Sequence, residues 1–154
     1  MIGTDISPIQ PTWVPPNLFF EIEDATQRWT FDRDTFDYVH MRYLFGSIAD
    51  WTELYRQAYR VLKPGAWIES FEADALLTSE DDTILPGSAL DQWGKVFIEA
   101  GKKTGRTFLT VNEDVQRKGL EAAGFTNIVT WDFNVRDPHA PSTYNILTSP
   151  HSAP

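Results

Sequence analysis

Asp5 and His40 are the first side chains in this sequence placed where they could carry chemistry. Asp5 closes a short apolar start, Met1 and Ile2, and is followed by the turn-forming Ser7 and Pro8. In nucleotide-binding α/β domains an acid at the end of such a strand accepts hydrogen bonds from the ribose hydroxyls. A glycine-rich turn about 20 residues earlier surrounds the rest of the nucleotide. No such turn stands ahead of Asp5 in this sequence, so a turn or cap aspartate is the competing reading. His40, with Arg42 and Tyr43, falls at the carboxyl end of an apolar stretch beginning at Phe36, the end at which doubly wound sheets bind ligands. A histidine there could orient a substrate or take a proton, or it could be a half-buried imidazole satisfied by the backbone.

Other chemistries find little support. His139 and His151 have no second ligand at helical spacing, so no metal site is expected. The chain has no cysteine, which excludes disulfides, thiolate zinc and thiol nucleophiles. Ser47 and Ser70 lack a G-x-S-x-G setting. With 22 acidic residues, paired carboxylates arise by number alone and carry no glycosidase signal.

The elements that would position Asp5 and His40 alternate between strand and helix, the pattern of a βαβ sheet. Phe19, Phe20 and Ile22 make a strand followed by Glu23 and Asp24, and residues 36–41 make the next. Over residues 50–62 an apolar face repeats at Trp51, Leu54, Tyr55, Ala58 and Leu62, with Asp50 and Glu53 spaced as a capping pair. Lys63, Pro64 and Gly65 end that helix, and a strand over 66–71 follows. A second helix is expected over 88–103 on Leu90, Trp93, Phe97 and Ala100, and a third over 112–123, closed by Gly124. Residues 127–135 alternate as a last strand, and 78–86 read as an acidic surface loop. Of the six tryptophans, Trp51, Trp67, Trp93 and Trp131 fit buried stripes, while Trp13 and Trp29 could line a mouth or a partner surface.

Four blocks, GTDISPIQPTWVPP (residues 3–16), FFEIEDA (19–25), FDYVHMRYLFGSIADW (36–51) and LYRQAYRVLKPGAWIE (54–69), resemble the fungal class I S-adenosylmethionine (SAM) dependent methyltransferases related to the LaeA regulator of secondary metabolism. WGKVFIEAGKKTGR and GLEAAGF extend the resemblance over most of the chain. It implies a Rossmann-like α/β fold, SAM as cofactor and a small natural-product acceptor. By the same resemblance Asp5 would accept from the SAM ribose, Asp24 from the adenine amine, and the Ala25 amide would donate to the adenine ring.

The family's glycine-rich first motif is absent, so the resemblance implies a sheet lacking its first strand and helix, a truncated N-terminus and impaired methyl transfer. That strand would lie between the one ending at Asp5 and the Phe36 strand, leaving open edges for a full-length relative or a second copy to pair with. A non-methylating auxiliary or cyclising protein, using the cleft around His40, or a noncatalytic partner is the alternative. Residues 1–135 are expected to form the partial methyltransferase-like domain, and 136–154, rich in proline, serine and threonine, an irregular tail on which only Tyr144, Ile146 and Leu147 dock.

At 154 residues with 42% apolar and 14% aromatic content the chain is long enough for one globular core. A net charge of −9 disfavours nucleic acid and anionic membrane as partners. With neither a signal-like start nor a run of roughly 18 apolar residues, the expected setting is cytoplasmic or nuclear.

Overall fold

In the computed structural model, which describes residues 1–79, 82–135 and 142–150, the chain divides into two units, Met1–Thr30 and Phe31–Pro154. His139 and His151 lie outside the described residues, as do residues 80 and 81 of the acidic loop.

The first unit is built on two parallel strands, β1 (Ile2–Asp5) and β2 (Phe19–Ile22), paired from Ile2↔Phe19 to Asp5↔Ile22. A Cβ at Gly3 would sit 2.5 Å from the Phe20 ring, so a side chain there would have to displace that ring. Trp29 folds back on its own loop, its indole N–H donating to the Ala25 carbonyl at 3.1 Å.

The second unit runs β3 (Phe36–Arg42), α1 (Trp51–Val61), β4 (Leu62–Ala73), α2 (Ala89–Thr104), α3 (Val115–Ala123), β5 (Val129–Val135) and β6 (Ser142–Pro150). Its sheet has the order β3-β4-β6-β5, with β3 and β4 parallel and β6 antiparallel to both its neighbours. β1 and β3 therefore belong to different sheets, and β3 is an edge strand.

Alternation along β4 decides which face is core. Ala66, Ile68, Ser70 and Glu72 are buried, and in register with them Val39 and Met41 of β3 turn the same way. α1 supplies the other side of this core with Trp51, Leu54, Tyr55, Ala58 and Val61, a spacing that places all five on one helical face. α3 packs on α1 through Gly119, whose absent Cβ would lie 2.7 Å from the Tyr55 ring, and contributes the fully buried Leu120. Inside this layer Tyr55 Oη and Ser70 Oγ are 2.9 Å apart, and Gln116 Nε2 donates to the Ser70 carbonyl at 2.9 Å.

The helix ends follow the capping residues. The Asp50 carboxylate accepts from Glu53 N–H at 2.9 Å, and Ser88 Oγ accepts from Asp91 N–H. Gly105 and Gly124 close α2 and α3 in the left-handed conformation.

Several expectations need correction. Residues 142–150 of the tail are a strand: β6 inserts between β4 and β5, pairing Ser70↔Leu147, Phe71↔Ile146 and Ala73↔Tyr144. Weak periodicity concealed it, because the ladder hydrogen bonds that hold a central strand come from backbone and not from side-chain pattern. The third helix starts at Val115 and not at 112, since Asp114 adopts φ 53° and cannot be helical. β4 begins at Leu62, directly after α1. Between Leu62 and Trp67 it advances five residues against two on β3, and Pro64 and Gly65 (φ 81°) are accommodated in the resulting bulge.

Of the four tryptophans assigned to buried stripes only Trp51 is buried, at 6% exposure. Trp67 (47%) and Trp131 (50%) lie on the sheet face opposite α1, in register with Tyr38 and Phe71 respectively. Trp93 is 56% exposed because α2 buries its small residues instead, with Gly94 against Leu76 and Gly101 against the Arg106 carbonyl.

Candidate functional site

Asp5 and Asp24 both sit at the carboxyl edge of the β1–β2 pair. Asp5 ends β1 opposite Ile22, the Glu23 N–H donates to the Asp5 carbonyl at 3.0 Å, and Asp24 follows at once. Each acid closes a local turn through its Oδ1. Asp5 accepts from Ser7 N–H at 2.8 Å, and Asp24 accepts from Thr26 N–H at 2.9 Å and from the Thr26 hydroxyl at 2.7 Å. At Asp5 the turn bond to Ser7 uses one of two carboxylate oxygens, and a carboxylate offers about four lone pairs in all. Ala25, between Asp24 and Thr26, gives its carbonyl to the Trp29 indole.

His40 belongs to the second unit, on the sheet face away from α1. β3 and β4 pair His40 with Glu69, and His40 Nδ1 lies 2.7 Å from Glu69 Oε2. The Tyr38 hydroxyl, two residues back on the same face, donates to that same oxygen, and the Tyr38 and His40 rings stack with centroids 6.4 Å apart. The Tyr38 hydroxyl holds the Glu69 carboxyl below the ordinary carboxylate range, with His40 adding to the effect against partial burial. Burial and the Glu69 charge in turn push the Tyr38 hydroxyl up, so it stays a neutral donor. When imidazole donates Nδ1–H to Glu69, its Nε2 presents a lone pair that can accept a proton.

Two further carboxylates that the sequence reading does not single out stand on the buried side of β4, at Glu72, and just past its end, at Asp74. Glu72 is fully buried; Leu44 N–H donates to both its oxygens at 2.9–3.0 Å and Phe45 N–H to Oε2 at 2.9 Å. Asp74 receives Val111 N–H at 2.8 Å and Asn112 N–H at 3.0 Å, while the Thr110 hydroxyl donates to the Ala73 carbonyl at 2.9 Å. Burial pushes both carboxyls up, Glu72 to about 7. The signal was available: 66, 68, 70, 72 and 74 share one parity, so an acid at 72 or 74 falls in line with Ala66 and Ile68 on the core face. A buried acid needs donors, and the nearest are loop amides at the carboxyl ends of the strands.

Arg42 turns its guanidinium over the Tyr43 ring, 5.3 Å from the centroid. Among the described residues no group of three or more His, Asp or Glu is arranged to hold a metal ion, and no helix is long and apolar enough to cross a membrane.

Comparison with known proteins identifies the family and the fold. Residues 1–130 match the model of a methyltransferase domain. The chain is 38% identical over 135 residues to the methyltransferase pytC of Aspergillus terreus, covering 88% of this chain and 41% of that protein. It is 36% identical over 147 residues to the secondary metabolism regulator LAE1 of Cochliobolus heterostrophus, covering 90% of this chain and 47% of that protein. The chain thus spans less than half the length of these curated relatives. Among solved structures, an S-adenosylmethionine-dependent methyltransferase from Mesorhizobium loti superposes with a TM-score of 0.64 at 15% identity, covering 97% of this chain and 79% of that one. The fold is the α/β fold of class I methyltransferases, and a domain match over residues 1–130 together with these identities makes the chain a member of the methyltransferase-domain family related to LaeA.

Proposed function

We propose that the chain serves a SAM-dependent methyltransferase of fungal secondary metabolism acting on a small natural-product acceptor. The observation that carries this reading is the placement of Asp5 and Asp24 together at the carboxyl edge of a parallel strand pair, in a chain of this family. Asp5 already spends Oδ1 on Ser7, and its second oxygen suits a ribose hydroxyl. Asp24 accepts from the adenine amine and the Ala25 N–H donates to the adenine ring. These acceptors and donor fit the nucleoside half of SAM.

SAM when bound supplies an electrophilic methyl group on a sulfonium. The chain's own contributions are binding and proton handling. In the second unit, taken by itself, His40 is a candidate proton acceptor through Nε2 when its Nδ1–H is donated to the Glu69 carboxylate. Tyr38 fixes the Glu69 carboxylate by donating to its Oε2.

Amide chemical-shift mapping with S-adenosylhomocysteine, which cannot transfer a methyl group, tests the binding half of this reading. Shifts centred on Asp5, Asp24 and Ala25 are expected. Shifts elsewhere, with those three unmoved, would overturn it.

A further inference from the structure

Glu72 is a buried ionisable group that the proposed chemistry does not use. Its carboxyl group sits under the loop that leaves β3, and it is the acceptor for two consecutive amides of that loop, Leu44 and Phe45. The loop is held in an unrelaxed shape. Tyr43 adopts φ 57°, a left-handed conformation that costs a non-glycine residue of order 1 kcal/mol. Gly46 adopts φ 72°, donates to the Thr107 carbonyl at 2.7 Å, and lies so close to Phe108 that a Cβ would fall 2.1 Å from its ring. Successive amides converging on one carboxylate form an anion-binding nest, here filled from within the protein.

The groups facing Glu72 are mostly neutral. From α1 comes Tyr55, whose hydroxyl is engaged with Ser70 and feels the Glu72 charge; just past the end of β4 stands Asp74, occupied by Val111 and Asn112. Among the described residues Glu72 takes part in no ion pair. The charge is therefore compensated only by amide dipoles, which offset burial in part.

We propose that Glu72 is a proton-operated latch on the 43–46 loop, holding it closed on the carboxyl end of the sheet when neutral and loosening it when ionised. The neutral acid keeps both amides through Oε2 as its carbonyl oxygen, without the cost of a buried charge. The direction follows from linkage. Burial raises the carboxyl to about 7 with the loop closed, whereas a hydrated carboxyl titrates in the ordinary range. The closed state therefore binds the proton more tightly. Its advantage is full below the ordinary carboxylate pKa and declines as pH rises through about 7. The loop carries Tyr43 and follows Arg42 at the end of the strand that bears His40, so its closure sets the shape of the edge at which ligands bind in such sheets.

Hydrogen exchange of the Leu44 and Phe45 amides, corrected for intrinsic rates, tests this at pH 6 and pH 8. Protection in the native chain should fall roughly tenfold or more between the two, a change the Ile68 core amide does not share. In Glu72→Gln, a neutral isostere, protection should match the native pH 6 value at both pH values. Equal native protection at the two pH values, or a loss shared equally by Ile68, would overturn the proposal. The native chain also supplies a measurement independent of the variant's folding: the Glu72 carboxyl carbon should titrate with a midpoint near 7, and a midpoint in the ordinary carboxylate range would contradict it.

Discussion

His40 Nδ1 lies 2.7 Å from Glu69 Oε2 across the β3–β4 ladder, and the Tyr38 hydroxyl closes on the same oxygen. One carboxylate thus serves two aromatic side chains of one strand. Which of the two dominates its electrostatics decides how the cluster responds to acid, and it is Tyr38.

Removing that hydroxyl by Tyr38→Phe should raise the Glu69 carboxyl toward its ordinary range. Because the folded value is depressed, the cluster contributes stability that is present above the ordinary carboxylate range and lost as pH falls through the lowered value. Urea unfolding between pH 3 and pH 7 should show the variant less stable at pH 7 by about 1 kcal/mol or less, since the cluster is partly exposed, with a shallower acid limb.

The two helix tryptophans should behave differently. Trp51, buried and tilted against Tyr55 at 5.8 Å, should cost about 3–5 kcal/mol on replacement by alanine. Trp93 touches Phe97 at 5.1 Å but is more than half exposed, and Trp93→Ala should cost about 1 kcal/mol or less. Denaturant midpoints of the two variants check this directly.

The approach of α3 to α1 depends on Gly119. A methyl group there would meet Tyr55 Cδ2 at 2.7 Å and Cε2 at 2.9 Å in a buried layer where the ring has nowhere to turn. Gly119→Ala should destabilise by about 1–3 kcal/mol despite alanine's better helix propensity. A calorimetric melt in which the variant gains stability would show that the two helices can separate without loss.

Much of this fold could be read from the sequence because its signals are local. The Asp50 and Ser88 caps, the Trp51–Leu54–Tyr55–Ala58 stripe and the glycine closing α3 each act within a turn or two of chain. What failed depends on distant partners. β6 exists because β4 and β5 leave a ladder between them, and no residue of 142–150 announces that. Trp67 and Trp131 alternate as a buried strand does, yet their parity places them on the face away from α1. Among the candidate residues, Asp5, Asp24 and His40 stand out in the sequence because they end or flank strands, whereas Glu69 is tied to His40 only by a register that a single sequence does not fix.

The central claim is that Asp5 and Asp24 hold the nucleoside of SAM, and calorimetric titration with S-adenosylhomocysteine tests it most directly. Asp5→Asn and Asp24→Asn keep a side-chain oxygen to accept the Ser7 and Thr26 amides, so the turns should survive while the charged acceptor is lost. Each should weaken binding by about 1–3 kcal/mol, roughly five- to 150-fold, with the melting temperature little changed. Binding unaffected by either substitution, or no binding by the folded native chain, would contradict the account.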